Sequence, residues 1–466
     1  MAKPSSLALA VPAALLLGGC ASLSQDHGFA AIESASRAQL GKDVVWQRDE
    51  ATREHVRQRI DALLEKPLAA DDAVQIALLN NPGLQAAFNR LGIAEADWIA
   101  ASRLPNPGIA IGRLTRASEI EWEKSLHFNL ARLLALPLRA DIEQRRYEQT
   151  RRGLILEVLR LAADTRRAWI AAVAANESLA VQREAMAAAE AGAELARRMA
   201  AVGNWSRLKQ AREQSFYADT ALAVARAEQA RIESRERLVR LLGLTDAAKL
   251  KLPERLPGLP PTLPALAEVE QLAMDSRLDL TMVRLDAEAL ARHLELTRRT
   301  RFVNVLELGL VHNSSNEAPT QRGYEISFEL PLFDFGQSRI AAAESRYRQM
   351  LERAREAAVN ARSEVREAHT LLQSRYAVAR HVEDEVLPLK KRIAEENLLR
   401  YNGMLIGVFE LLADARAQLA AVNSAIETKR DFWLAEADLA MALVGTPGRI
   451  TIDHTAAAPI EAGGGH

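Results

Sequence analysis

The sequence predicts a mainly α protein with a small β part, in which one plan of helix, strand, strand, long helix and long helix is used twice. Three observations predict it. Long proline-free stretches carry apolar residues at three- and four-residue steps, short stretches between them alternate with a period of two, and both patterns recur at an offset close to 200. The alternating stretches further predict a transmembrane β-barrel to which several copies of the chain lend strands.

The chain opens on a segment that reads as a leader. Lys3 precedes an apolar run from Leu7 to Leu17 that is too short to span a bilayer, and Leu17-Gly18-Gly19-Cys20 resembles a bacterial lipobox. Residues 1–19 are expected to be a lipoprotein signal peptide, with a thioether-linked diacylglycerol on Cys20, the only cysteine of the 466-residue chain. A mature start of Cys20-Ala21-Ser22, with no aspartate after the cysteine, resembles a lipoprotein sorted to the outer membrane. The alternative is an ordinary signal peptide that contains a cysteine. Residues 20–66 are then an N-terminal periplasmic segment.

The first repeat covers 67–252. Asp71 and Asp72 mark a capped helix start, and Leu104-Pro105-Asn106-Pro107 ends the helical stretch. Strands are expected near 106–115 and 121–131. In the second, Trp122, Leu126, Phe128 and Leu130 share one face, interrupted by Lys124, whose long stem can carry its charge to a headgroup. Glu123, Ser125, His127 and Asn129 share the other face, on which a satisfied or solvated His127 is expected rather than a metal ligand. From Arg139 to Val202 no proline occurs across 64 residues, a helix of about 95 Å at ~1.5 Å per residue. A tight turn then leads to a second helix, Ser206 to Leu242.

Residues 253–264 hold five of the 17 prolines and read as an extended linker. The second repeat, 265–446, has strands near 302–312 and 322–331 and helices from Ser338 to Arg400 and Phe409 to Val444. Its last strand splits cleanly, with Tyr324, Ile326, Phe328 and Leu330 against Glu325, Ser327 and Glu329. Pro388 stands where the first repeat has Ala188, so a kink is expected there. The tail, 447–466, is small and polar and is expected to be disordered.

Several classes are excluded. Lys and Arg number 60 against 61 Asp and Glu, so no basic field points to nucleic acid. After the leader no apolar run reaches the ~20 residues of a spanning helix, so a membrane crossing must use strands. Strands in lipid must close into a barrel, and four are too few when the smallest single-chain barrels have about eight; copies must therefore combine. No zinc-binding histidine pair, phosphate-cradling glycine loop or nucleophile elbow is present, so no enzyme, cofactor or metal site is expected.

The chain resembles the TolC-like outer-membrane factors of efflux systems. The resemblance rests on Asn80-Asn81-Pro82-Gly83-Leu84, Leu104-Pro105-Asn106-Pro107, Leu330-Pro331-Leu332-Phe333-Asp334-Phe335-Gly336, Tyr401-Asn402-Gly403 and Glu410-Leu411-Leu412-Ala413-Asp414-Ala415-Arg416, in that order along a duplicated chain. It implies a homotrimer with a twelve-stranded barrel in the outer membrane, four strands from each chain, and a helical tunnel in the periplasm. It also implies a periplasmic adaptor and an inner-membrane pump, which complete a tripartite, RND-type conduit for metal ions or drugs. Helix tips that meet the adaptor correspond to Val202, Gly203, Asn204 and Asn402, Gly403, Met404. Phe409, Glu410 and Asp414 fall near the expected periplasmic gate, where Phe409 and Leu412 replace the family's aspartates. A lipidated coiled-coil structural protein, or a lipidated adaptor, is the alternative that helices alone leave open.

Overall fold

The computed structural model describes residues 23–263, 269–300, 306–329, 333 and 335–446. Cys20 with its leader, Leu330, the Leu330-to-Asp334 part of the strand-to-helix motif apart from Phe333, and the 447–466 tail lie outside the described residues. Helices are α1 (Phe29–Leu40), α2 (Glu50–Leu64), α3 (Ala70–Asn80), α4 (Pro82–Ser102), α5 (Leu130–Ala201), α6 (Arg207–Leu242), α7 (Val269–Ser276), α8 (Leu278–Arg299), α9 (Gln337–His381), α10 (Leu387–Asn402) and α11 (Val408–Val444). The strands are β1 (Gly108–Arg116), β2 (Glu119–Asn129), β3 (Leu306–Ser315) and β4 (Gln321–Phe328).

The chain divides into two compact units that cut across the repeats. Unit one takes residues up to Gln47, Pro82–Val158 and Leu280–Ala358; unit two takes Arg48–Asn81, Leu159–Asp279 and the chain from Val359 onward.

Unit one holds a single antiparallel sheet in the order β1-β2-β3-β4. The hairpins of the two repeats meet there, because β2 pairs with β3 from Asn129↔Glu307 to Glu121↔Ser315. The gap of 116–120 between the two predicted strands shrinks to Ala117 and Ser118, since Arg116 pairs with Glu119. Ala117 takes a left-handed φ of 51° to make this turn. Asn316 closes it from the other hairpin, accepting from the Ile120 amide at 2.7 Å and donating to the Ser118 carbonyl at 2.8 Å.

Leu130 corrects the predicted strand 121–131: it is the first residue of α5, not the last of β2. Asn129 is the reason, because its side chain accepts from the Arg132 amide at 2.7 Å and caps the helix. The helix then runs through Pro137, where the sequence suggested a start at Arg139. A proline there removes one donor, and the surrounding turns carry the helix past it. Elsewhere in unit one, Phe29 meets Phe88 edge-on at 4.9 Å, and Trp98 stacks on Tyr147 at 5.5 Å. Glu95, 4% exposed, accepts from the Ser24 amide at 3.0 Å and its hydroxyl at 2.6 Å, and also meets His27.

Unit two is helical. Small and branched side chains interlock in its core: Ala273, Val365, Ala368, Leu372, Ala379, Phe432, Ala435, Leu439 and Ala442 form one buried cluster. The Asn80-Asn81 pair works as a cap on a distant helix. Asn80 Nδ2 donates to the Leu242 and Gly243 carbonyls at 2.9 and 2.8 Å, and Asn81 Nδ2 to Leu241 at 2.9 Å, satisfying the end of α6. Gly243 has φ 66°, and a Cβ there would lie 2.6 Å from the Asn80 carbonyl oxygen, so only glycine fits.

The second repeat solves the same problem with different chemistry. Ser276 donates to the Leu443 carbonyl at 2.9 Å and Arg277 to Ala442 at 3.2 Å. Arg277 is 2% exposed and its guanidinium also meets Asp279 at 2.6 Å and Glu364 at 2.8 Å. The proline linker packs as an extended strap: Tyr376 donates to the carbonyls of Pro260 and Pro261 at 2.9 Å, and Trp433 to Pro257 at 3.2 Å. Before Pro388 the helix widens into a π turn, Val382–Val386.

Candidate channel wall and helix tips

Directly paired residues share a face of the sheet, so the register defines both faces. One carries Ile109 and Ile111; Trp122, Leu126 and Phe128; Leu306, Leu308 and Leu310; Tyr324, Ile326 and Phe328. Large apolar side chains stand in the open here, with Ile109 at 74% and Tyr324 at 75% exposure. Trp122, Phe128, Ile326 and Phe328 are also exposed, and Leu126 is half-buried. Ile109, Ile111 and the three leucines of β3 are additions to the predicted set. Their alternation was present but diluted by glycine and alanine between them.

The opposite face carries Glu119, Glu121, Glu123, Ser125, His127 and Asn129 from β2, with Glu307 and Asn313 from β3 and Glu325 and Ser327 from β4. His127 has room because its cross-strand partners are Gly108 and Gly309, and its Nε2 lies 2.6 Å from Ser125 Oγ. Among the described residues no cluster of three His, Cys, Asp or Glu could hold a metal ion, and no helix is long and apolar enough to cross a membrane. The outer edges of β1 and β4 pair with no strand among the described residues.

The helix tips lie in unit two. Val202, Gly203 and Asn204 close α5: the Asn204 amide reaches the Met199 carbonyl at 2.9 Å and Gly203 has φ 82°. In the second tip the Leu405 amide reaches the Arg400 carbonyl at 2.8 Å, and the left-handed residue is Met404, with φ 59°. Gly403 has φ −81° and remains in an ordinary conformation. The structural counterpart of Gly203 is therefore Met404, one residue out of the repeat's offset, while Asn402 ends α10.

The three gate candidates separate. Phe409 stacks on Trp205, with ring centroids 3.7 Å apart and planes at 28°. Asp414 is half-buried and accepts from Asn397, and Glu410 is exposed. A further contact escaped the sequence: Arg416 pairs with Glu213 and lies 3.9 Å over the Phe216 ring. Gly192 leaves the space this needs, since a Cβ there would be 3.2 Å from Arg416 Nη2. Nothing in a single helix pattern marks Arg416, because its partner lies 203 residues away.

No protein-family model and no curated protein matches the chain. Solved structures do. The structure of CusC, from work on conformational changes accompanying folding and transmembrane channel formation, matches with a TM-score of 0.65 and 17% identity over 81% of this chain and 92% of that one. The outer-membrane channel OprN matches at 0.64 and 16% identity over 89% and 96%. The open state of the Neisseria gonorrhoeae MtrE outer-membrane channel matches at 0.64 and 18% identity over 80% and 88%. The chain has the TolC-like fold of these outer-membrane channels.

Proposed function

We propose that the protein is an outer-membrane efflux channel, the passive exit duct of a tripartite pump. The sheet carries the reading: one face is apolar and exposed, the other is rich in carboxylates and hydroxyls, and neither outer edge pairs with a strand among the described residues. In water such a sheet would expose its apolar face, which a rod-like structural lipoprotein has no means to cover. In a bilayer that face meets lipid, and the edges must pair because hydrocarbon offers no other partner. Three copies of a four-stranded sheet supply twelve strands, an even number within the range of bacterial barrels. Trp122, Leu126, Phe128, Tyr324, Ile326 and Phe328 are then lipid-facing, and the acidic face lines the water path.

In this reading the long helices continue the duct into the periplasm. The tips at Val202 to Asn204 and Asn402 to Met404 engage an adaptor, and an inner-membrane pump supplies energy. Trp205 on Phe409 and Glu213 with Arg416 hold the two hairpins of one chain together near the tips, so adaptor binding opens the duct by separating them. Metal ions or drugs are the proposed cargo classes. A lipid on Cys20 adds a second anchor. The test is reconstitution of the full-length protein into planar bilayers. Discrete conductance steps from a trimer-sized particle are expected; a water-soluble monomer with no conductance would overturn the reading.

A further inference from the structure

The exposed apolar face of the sheet carries one row with two cations, Lys124 and Arg322, on either side of His312. Ile111, Lys124, His312 and Arg322 are successive cross-strand partners, so they form a single row across all four strands. The next row towards the hairpin turns holds Arg113 and Trp122, with the Arg113 guanidinium 5.7 Å from the Trp122 ring centroid. In the other direction the rows are apolar: Ile109, Leu126, Leu310 and Tyr324, then Phe128, Leu308 and Ile326, then Leu306 and Phe328.

Lys124, Arg322 and Arg113 are exposed, and none of them pairs with a carboxylate among the described residues. The glutamates of the same strands, Glu121, Glu123 and Glu325, belong to the opposite face. Two cations on one face with no carboxylate beside them leave the row without a counter-charge, which an anion would supply. A charge on the lipid side of a barrel costs most at the bilayer midplane and least at the interface, which places the row at the edge of the hydrocarbon. It lies on the hairpin-turn side, away from the end at which β2 runs into α5.

We propose that this row binds the phosphate groups of an anionic lipid in the outer leaflet, whose acyl chains lie along Leu126, Leu310 and Tyr324. The proposal rests on the membrane-barrel reading of the sheet. Phosphate lies between Lys124 and Arg322, over the intervening His312, as a shared counter-ion, and the apolar rows beneath distinguish a lipid from a free anion. Trp122 sits at headgroup depth, where an amphipathic ring is favoured.

The test uses full-length protein in neutral detergent micelles, with bound species counted by native mass spectrometry. The micelles are doped with bis-phosphorylated lipid A or with phosphatidylcholine, and a third sample receives inorganic phosphate alone. Wild type is expected to retain lipid A in preference to phosphatidylcholine and to bind inorganic phosphate far more weakly. At roughly fivefold per basic side chain near an anionic surface, K124Q/R322Q should lose on the order of 25-fold in lipid A retention, with oligomer mass and conductance unchanged. Equal retention by wild type and K124Q/R322Q, or equal retention of the two lipids, would overturn the proposal; inorganic phosphate bound as tightly as lipid A would assign the row to a free anion instead. If K124Q/R322Q does not assemble, a salt series on wild type decides: retention must fall steeply with ionic strength, and salt-independent retention overturns the site. Absence of any conducting oligomer in wild type would instead sink the barrel reading itself.

Discussion

Arg277 is almost fully buried with Asp279 and Glu364 on its guanidinium and the Ala442 carbonyl beside it, so removing it strands charge inside unit two. R277A should cost about 3–5 kcal/mol, read as a lower urea midpoint; an unchanged midpoint would contradict the buried-network account. The second tip gives an opposite sign. Met404, 93% exposed, holds a left-handed φ that strains any side chain, so M404G should stabilise the turn by about 0.5–1 kcal/mol while G403A changes little. A thermal melt in which G403A destabilises and M404G does not would refute the one-residue shift. His293 has a pKa below the ordinary histidine value, mainly through burial and then through Arg146 and Arg346. Its folded state favours the neutral ring, so that contribution is present above the unfolded pKa of about 6.5 and is lost as pH falls below it. H293Q should flatten the acid side of the stability profile of unit one, and an unaltered profile would exclude this source. Glycine punctuation made the tips legible in the sequence, but the left-handed position was not, because backbone hydrogen bonds rather than composition decide which residue turns.

At the scale of elements, strand faces and helix extents followed from periodicity, as Tyr324, Ile326 and Phe328 illustrate. Ends were less legible where a side chain overrode the expected breaker: Asn129 starts α5 nine residues ahead of the Arg139 start read from sequence, and the helix crosses Pro137. Which hairpins touch could not be read at all, since Trp205 with Phe409 and Glu213 with Arg416 depend on tertiary packing. If these contacts restrain the duct, W205A and E213Q should each raise open probability in bilayers severalfold, with W205A/E213Q exceeding either alone. Unchanged gating in all three would assign the contacts to packing only.

For the whole molecule, duplication was legible as a repeated order of elements, yet the compact units do not coincide with the repeats. Each unit draws on both copies, because β2 of one pairs with β3 of the other and the second repeat's Ser276 and Arg277 take over the capping role of Asn80 and Asn81. That arrangement makes β1 and β4 the outer strands of one four-stranded sheet, whose outer edges pair with no strand among the described residues. The central claim is that copies of the chain close on each other through these edges. The most direct measurement fixes one cysteine at Ala110 in β1 and scans a second along 321–328 in β4, on a background with Cys20 changed to serine, followed by oxidation and denaturing electrophoresis. The account predicts that positions in register give a covalent trimer with no larger species. Monomers at every position, or an open ladder of higher oligomers, would contradict it.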